Sequence, residues 1–186
     1  DNENGDVISL VGGRSFRESE YNRAVQALRQ PGSSFKPFVY TACIDNGYKP
    51  TDIVDDNPLV LNIPGSGEWR PHNYDSKFLG PITIRDALRQ SRNLASIRLL
   101  LDVGPEQAIF YAKRMGITTP LQAVPSLAIG VSEVKVVELT SAISTFPNKG
   151  VHIPYRMVHR IVDRYGKVLE DNTAVQKEEA LSAQTA

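Results

Sequence analysis

"RQPGSSFKPFVYTACIDNG", residues 29–47, is the stretch on which the reading of this chain turns. Pro31-Gly32 interrupts what precedes it. The apolar residues that follow recur at helical spacing up to Gly47, a good place for the left-handed residue just past a helix end. Ser33 and Lys36 stand three apart and share a helix face. Two readings are open here. A serine hydroxyl is a poor nucleophile without a base in hydrogen-bond reach, and a lysine one turn away supplies that base once it has lost its proton. The helix start adds backbone N–H groups that favour developing negative charge. Equally, the stretch is a capped helix with a solvated lysine. Spacing alone does not decide, because S-x-x-K arises roughly once by chance in a chain of this length. Ser132-Glu133-Val134-Lys135 repeats it, and there Ser132 reads as an N-cap with Lys135 facing water.

A second short stretch shifts the balance. In "RQSRNLAS" (89–96), Ser91 and Asn93 fall at the junction of two helical segments. A hydroxyl and a carboxamide two residues apart on a tight connection can point into one cleft, the hydroxyl relaying a proton and the amide orienting a lysine or a substrate amide. They can also serve only to satisfy the turn's own backbone.

Taken together, the two motifs match the serine–lysine acyl-transfer class. "VGGRSFRESEYNRAVQALRQPGSSFKPFVYTA", "GEWRPHNYDSKFLGPITIRDALRQSRN", "SLAIGVSEVKVVELTSAISTFPNKG" and "ALSAQTA" extend the likeness over nearly the whole chain. It resembles the transpeptidase domain of class A (bifunctional) penicillin-binding proteins. The R-Q-P-G-S-x-x-K-P context and the W-x-P-x-N-Y-D stretch are far more specific than the bare spacing. The resemblance implies an α+β fold of the penicillin-binding protein/serine β-lactamase type, here its helix-rich part with an incomplete antiparallel sheet. It implies that Ser33 is acylated, that Lys36 activates it, that Ser91 relays a proton, and that Asn93, Trp69 and Tyr74 bind substrate. The implied reaction is D-Ala-D-Ala transpeptidation of peptidoglycan stem peptides, blocked covalently by β-lactams, with no metal or organic cofactor. The alternatives are a D,D-carboxypeptidase or β-lactamase-type hydrolase, a non-enzymatic β-lactam sensor, or a scaffold module of the same fold.

The family's third motif, K-T-G or K-S-G, occurs nowhere in the chain. Residues 1–186 therefore read as a partial transpeptidase domain. The resemblance places the K-T-G strand, a glycosyltransferase domain and a membrane anchor in remaining segments of a parent polypeptide. It locates that parent at the extracytoplasmic face of the bacterial cytoplasmic membrane. The excerpt alone is expected to be inactive.

Bulk properties fit a folded domain: 186 residues, 41% hydrophobic, 23% charged and formally neutral. Zero net charge gives no sign of a nucleic-acid partner. The single cysteine, Cys43, excludes an internal disulfide and reads as a small buried hydrophobe.

Along the chain, "NENGD" reads as a turn leading into a strand, "VISLVGG". Residues 48–81 form a long loop rich in Pro, Gly, Asn and Asp. Helices are expected from Thr83, with Asp86 closing a near capping box, then up to Gly104, then from Pro105 to Gly116, and from Ser132 to about Pro147. A hairpin turns at Tyr165-Gly166, and "KEEALSAQTA" reads as a helix start with Ser182 as a cap. His72, His152 and His159 are too scattered for a metal site, "DDNP" at Asp55-Asp56 reads as turn chemistry, and Gly12-Gly13 lacks the dinucleotide spacing.

Overall fold

The computed structural model describes residues 1–186. In chain order, β1 (Leu28–Arg29) leads into a 3-10 turn (Gly32–Phe35) and α1 (Lys36–Asp45). Four short strands follow: β2 (Ile53–Asp55), β3 (Leu61–Ile63), β4 (Gly67–Trp69) and β5 (Pro81–Thr83). Then come α2 (Ile84–Arg89), α3 (Asn93–Val103), α4 (Pro105–Arg114), a second 3-10 turn (Pro125–Ile129), β6 (Val134–Lys135) and α5 (Val136–Ile143). The chain closes with β7 (Val151–His152), β8 (Arg160–Val162), β9 (Val168–Asp171) and β10 (Glu178–Glu179). All strands pair antiparallel and two by two, so the mixed α+β class holds, with no sheet wider than two strands. No helix is long and apolar enough to cross a membrane.

Two compact units emerge. One comprises Gln30–Tyr111 and Pro120–Glu133. Its centre is α1, which is buried on every side rather than on one stripe: Lys36, Phe38, Val39, Tyr40, Thr41, Ala42 and Cys43 are all inaccessible. The helix packs against α3 and the second 3-10 turn, whose Leu94, Ile97, Leu100 and Leu127 are fully buried. Tyr40 Oη lies 3.0 Å from Ser96 Oγ, tying α1 to α3 at a buried polar contact. Burial pushes the Cys43 thiol up to about 12, so it remains an inert packing group.

The start of α1 depends on two glycines. Gly32 has φ +57°, which lets the chain turn into the helix, and its N–H donates to Gly130 O at 3.3 Å. Gly130 has φ +72°, and a Cβ there would lie 2.1 Å from Gly32 O. Gly130→Ala therefore meets both backbone strain and a backbone clash, and is expected to lower stability by about 2–4 kcal/mol. Chemical denaturation checks this; a change below about 0.5 kcal/mol would contradict it.

The expected loop 48–81 is more regular than its composition suggests. β2 pairs with β5 from Ile53↔Thr83 to Asp55↔Pro81, and β3 pairs with β4 as a hairpin. Three-residue strands are too short to show alternation, and the β2–β5 pairing joins segments far apart in sequence. Thr83 caps α2 as expected, Asp86 N–H donating to its Oγ1 at 3.1 Å.

The second unit comprises Asp1–Arg29, Ala112–Thr119 and Val134–Ala186. The expected N-terminal turn forms, with Gly5 N–H bonded to Asp1 O at 3.0 Å, but the strand after it does not. Only Asp6 makes a bridge, to Arg156. Ile8 and Val11 are 80% and 81% exposed. Alternating apolar residues make a strand only when a ladder partner takes up their backbone groups in series, and here only Val7 N–H, to Arg156 O, and Gly12 O, from Arg23 N–H, are taken up.

The helix expected from Ser132 begins instead at Val136. Val134–Lys135 is drawn into a ladder with Leu28–Arg29, which delays the helix beyond the start its pattern suggests. Glu138 is buried in this unit and accepts from Thr118 Oγ1 at 2.7 Å and from Thr119 N–H and Oγ1. Burial pushes its carboxyl up, but these donors and nearby Lys135 more than offset that, and it titrates below the usual range. The hairpin forms as expected, β8 against β9, but the helix expected at 177–186 does not: Glu178–Glu179 pairs with Val151–His152 and Ser182 caps only a single closing turn.

Candidate active site

The cleft of interest lies within the unit built on α1. Ser33, Asn73, Tyr74, Asp75, Gln90, Ser91, Arg92 and Asn93 line a cavity of about 360 Å³. Ser33 sits on the 3-10 turn that opens α1 and is exposed to solvent. Lys36, one turn on, is 1% exposed. Its amine donates to Ser91 O at 2.6 Å, Ser91 Oγ at 2.9 Å and Asn93 Oδ1 at 2.8 Å. The solvated-lysine reading is thereby excluded. The structure joins Lys36, Ser91 and Asn93 directly; Ser33 lines the cleft with Ser91 and Asn93, while Lys36 lies behind them, outside the lining and without a hydrogen bond to Ser33 Oγ.

Ser91 reaches Lys36 with both its carbonyl and its hydroxyl because its φ is +53°, a conformation uncommon for a residue with a side chain. It occupies the sharp connection between α2 and α3. Such strain costs on the order of 1–3 kcal/mol and persists only where neighbours over-determine it. The neighbours are next in sequence. Arg92 is 5% exposed, and its guanidinium bonds to Asp56 Oδ2 at 2.8 Å, to both Asp75 oxygens at 3.1 and 3.0 Å, and to Lys77 O.

Burial lowers the pKa of Lys36, the adjacent Arg92 charge lowers it further, and Asp56 opposes them; the result is about 8. Three acceptors suit the ammonium, which has three N–H bonds. The neutral amine has two N–H bonds and a lone pair, and it fits the same pocket if the Ser91 hydroxyl rotates to donate. The site can therefore hold either protonation state without leaving a buried polar group unmatched.

Tyr74 stands fully exposed at the rim of the cleft. Trp69 pairs with Leu61 in the β3–β4 hairpin and is not among the lining residues. Asp56 is more than the turn residue its context suggests. It is fully buried and receives Arg92, Asn73 Nδ2 at 2.9 Å and Leu79 N–H at 3.2 Å. Asn73 too escapes the sequence reading, although it falls inside the W-x-P-x-N-Y-D stretch. His72 takes part through its carbonyl, which accepts from Asn93 Nδ2 at 3.0 Å, and its imidazole stays exposed.

The decoy Ser132–Lys135 forms no such site, though not for the expected reason. Ser132 is buried and accepts from Gln122 N–H at 3.0 Å instead of capping a helix. A larger cavity of about 590 Å³ in the other unit is mostly apolar and has no lysine, histidine or cysteine in its lining. No group of three or more His, Cys, Asp or Glu is placed to hold a metal ion.

The fold and the cleft define a class: an exposed serine at a helix start, a buried lysine one turn below it, and a Ser-x-Asn pair opposite. The family model described as the penicillin-binding protein transpeptidase domain matches residues 1–186, and the chain belongs to that family. It is 46% identical over 171 residues to penicillin-binding protein 1A of Pseudomonas aeruginosa, covering 91% of this chain and 21% of that protein. It is 43% identical over 166 residues to penicillin-binding protein 1A of Rickettsia bellii, covering 89% and 21%. Among solved structures, penicillin-binding protein 1A from Haemophilus influenzae is similar at TM-score 0.83 and 33% identity, over 90% of this chain and 25% of that one. The penicillin-binding protein PonA1 from Mycobacterium tuberculosis is similar at TM-score 0.87 and 25% identity, over 100% and 50%. The chain thus spans about a fifth of the length of the curated relatives it matches.

Proposed function

We propose that this chain carries the acylating half of a peptidoglycan D,D-transpeptidase site. Ser33 Oγ attacks the carbonyl carbon of the penultimate D-Ala of a stem peptide. Its proton passes to Lys36 Nζ, and the C–N bond to the terminal D-Ala breaks. Ser91 Oγ, within 2.9 Å of Nζ, returns the proton to the departing amine, and free D-Ala leaves. A neighbouring stem-peptide amine then attacks the ester carbonyl, forms the cross-linking amide and releases Ser33. Asn93 and Tyr74 contact the bound peptide, and Trp69 supports the loop that carries Tyr74.

A β-lactam meets the same serine. Ring opening breaks the lactam C–N bond but keeps the amine tethered, so the departing group stays near the ester and obstructs the second attack. No cofactor enters this chemistry. The partners are stem peptides, β-lactams and the remaining segments of the parent polypeptide, among them a strand bearing K-T-G. The parent is membrane-anchored and works at the extracytoplasmic face.

One observation carries this reading: the inaccessible Lys36 amine is held by Ser91 and Asn93, and those two residues line one cleft together with Ser33. The test is to incubate the whole polypeptide carrying this chain with a fluorescent penicillin and map the adduct by mass spectrometry. Label on Ser33 is expected. Label on Ser34, or none, sinks the proposal. Adding a D-amino acid acceptor with a thioester donor then distinguishes transfer from hydrolysis by the product formed.

A further inference from the structure

We infer that Asn73 is a positioning residue for this site: its buried carboxamide holds the first turn of α3, and through that turn it aims Ser91 and Asn93 at the Lys36 amine. The inference deepens the acyl-transfer reading and rests on it.

The start of α3 lacks a cap of its own. Arg92 occupies the N-cap position and makes no side-chain cap bond, since a guanidinium has no acceptor to offer. The first N–H groups of a helix need an acceptor from elsewhere. Asn73 supplies it from a distant loop: Oδ1 accepts from Asn93 N–H at 2.8 Å and Leu94 N–H at 3.3 Å. On its other side, Nδ2 donates to Asp56 Oδ1 at 2.9 Å and Lys77 O at 3.0 Å. Two donors face the oxygen and two acceptors face the nitrogen, so only one orientation of the amide is possible. Asn73 is 3% exposed, and its hydrogen-bonding capacity is fully used.

A cap that served only stability could sit on any helix. This one grips the residue that also binds the lysine. Asn93 N–H goes to Asn73, Asn93 Nδ2 goes to His72 O, and Asn93 Oδ1 receives Lys36 Nζ. Main chain and side chain of Asn93 are thus both held by residues 72–73. A small rotation of the first turn lengthens the bond to Lys36 and disturbs Ser91 two residues before it. The charged groups acting on the amine are Arg92, at the start of α3, and Asp56, after β2. Both belong to the network that Asn73 completes. Loosening it admits water around Lys36 and lets the amine return toward its ordinary value.

The experiment measures fluorescent-penicillin acylation of the whole polypeptide between about pH 6 and about pH 10, separating the rate constant per competent site from the fraction labelled. In Asn73→Ala the rate constant is expected to fall about 10–100-fold, the size typical of lost orientation. The rising limb of its pH profile moves to higher pH. Asn73→Asp keeps the shape and remains informative if the alanine variant does not fold. It sets a carboxylate against Asp56 and is expected to lose a similar factor. The double exchange, Asn73→Asp together with Asp56→Asn, swaps the two groups. It restores one carboxylate–carboxamide pair, now with the amide donating from position 56 to the carboxylate at position 73, and recovers part of the rate, since Lys77 O still lacks the donor that Asn73 Nδ2 gave it. Rate constants and pH profiles that coincide with wild type in the single variants, whatever the labelled fraction, overturn the inference. So does a double exchange no better than Asn73→Asp alone. Wild type run in parallel separates the two ideas: unlabelled Ser33 in wild type refutes the acyl-transfer reading, whereas normal wild type with unaltered variants refutes only the role of Asn73.

Discussion

Lys36→Met in the whole polypeptide is expected to slow acylation of Ser33 by a β-lactam by about 10³-fold, in the range of a lost general base. Methionine keeps the buried, unbranched stem and removes the amine. Ser91 O, Ser91 Oγ and Asn93 Oδ1 then lose their shared donor, at a cost to stability of about 1–3 kcal/mol. That loss is read separately, from the unfolding midpoint. Lys36→Arg keeps a positive charge but cannot surrender a proton at any accessible pH, so it is expected to fail as completely as methionine. Retention of most of the rate by the arginine variant would mean that the cation only positions the serine.

The pH profile gives an independent reading of the same residue. With an amine near 8, about a tenth of the molecules hold neutral Lys36 at pH 7. The acylation rate should rise about tenfold per pH unit below 8 and level off above it. A flat profile across this window contradicts the base role. Stability follows the same sign. The unfolded chain keeps its lysine protonated up to about 10.5 and the folded one only to about 8, so the unfolded state binds more protons between those values. Burying the ammonium therefore costs stability in full below about 8, and that cost is relieved as pH rises toward 10.5.

Asp56→Ala is the second large effect. The carboxylate is fully buried, and the Arg92 guanidinium beside it is nearly so. Removing one partner of a buried pair leaves an uncompensated charge and is expected to cost about 3–5 kcal/mol. Asp75 also pairs with Arg92, but its side chain is 44% exposed and cannot replace the buried partner. Asp56→Asn retains an acceptor for Arg92 and Leu79 N–H but turns its amide nitrogen toward Asn73 Nδ2, so it should cost less than alanine without being neutral. Denaturant unfolding of the transition that contains this unit measures both. A loss under about 1 kcal/mol for the alanine variant would show that the charge is not compensated by Asp56 alone.

Local chemistry is legible without coordinates wherever the interacting groups are close in sequence. Ser33 and Lys36 share a turn, Thr83 and Asp86 cap a helix across three residues, and Tyr165-Gly166 closes its own hairpin. The helix junction marks Ser91 and Asn93 as candidates, but no residue pattern says that both meet the lysine across 55 and 57 positions. Asp56 misleads because "DDNP" has turn composition, and nothing in that composition shows an arginine 36 residues later coming to meet it. Two of the misplaced elements have one cause. Residues 7–13 alternate like a strand yet find no ladder, while residues 134–135 continue a helical pattern yet are claimed by one.

The order of residues by itself determined which groups can do chemistry and which lie within one turn of each other, because helix geometry converts a spacing of three into a shared face. Tertiary structure alone decided that Lys36 is buried rather than solvated, and that Asn73 caps a helix it does not belong to. Both outcomes depend on desolvation and on hydrogen bonds between segments far apart in the chain, and those free energies come into being only when the segments pack.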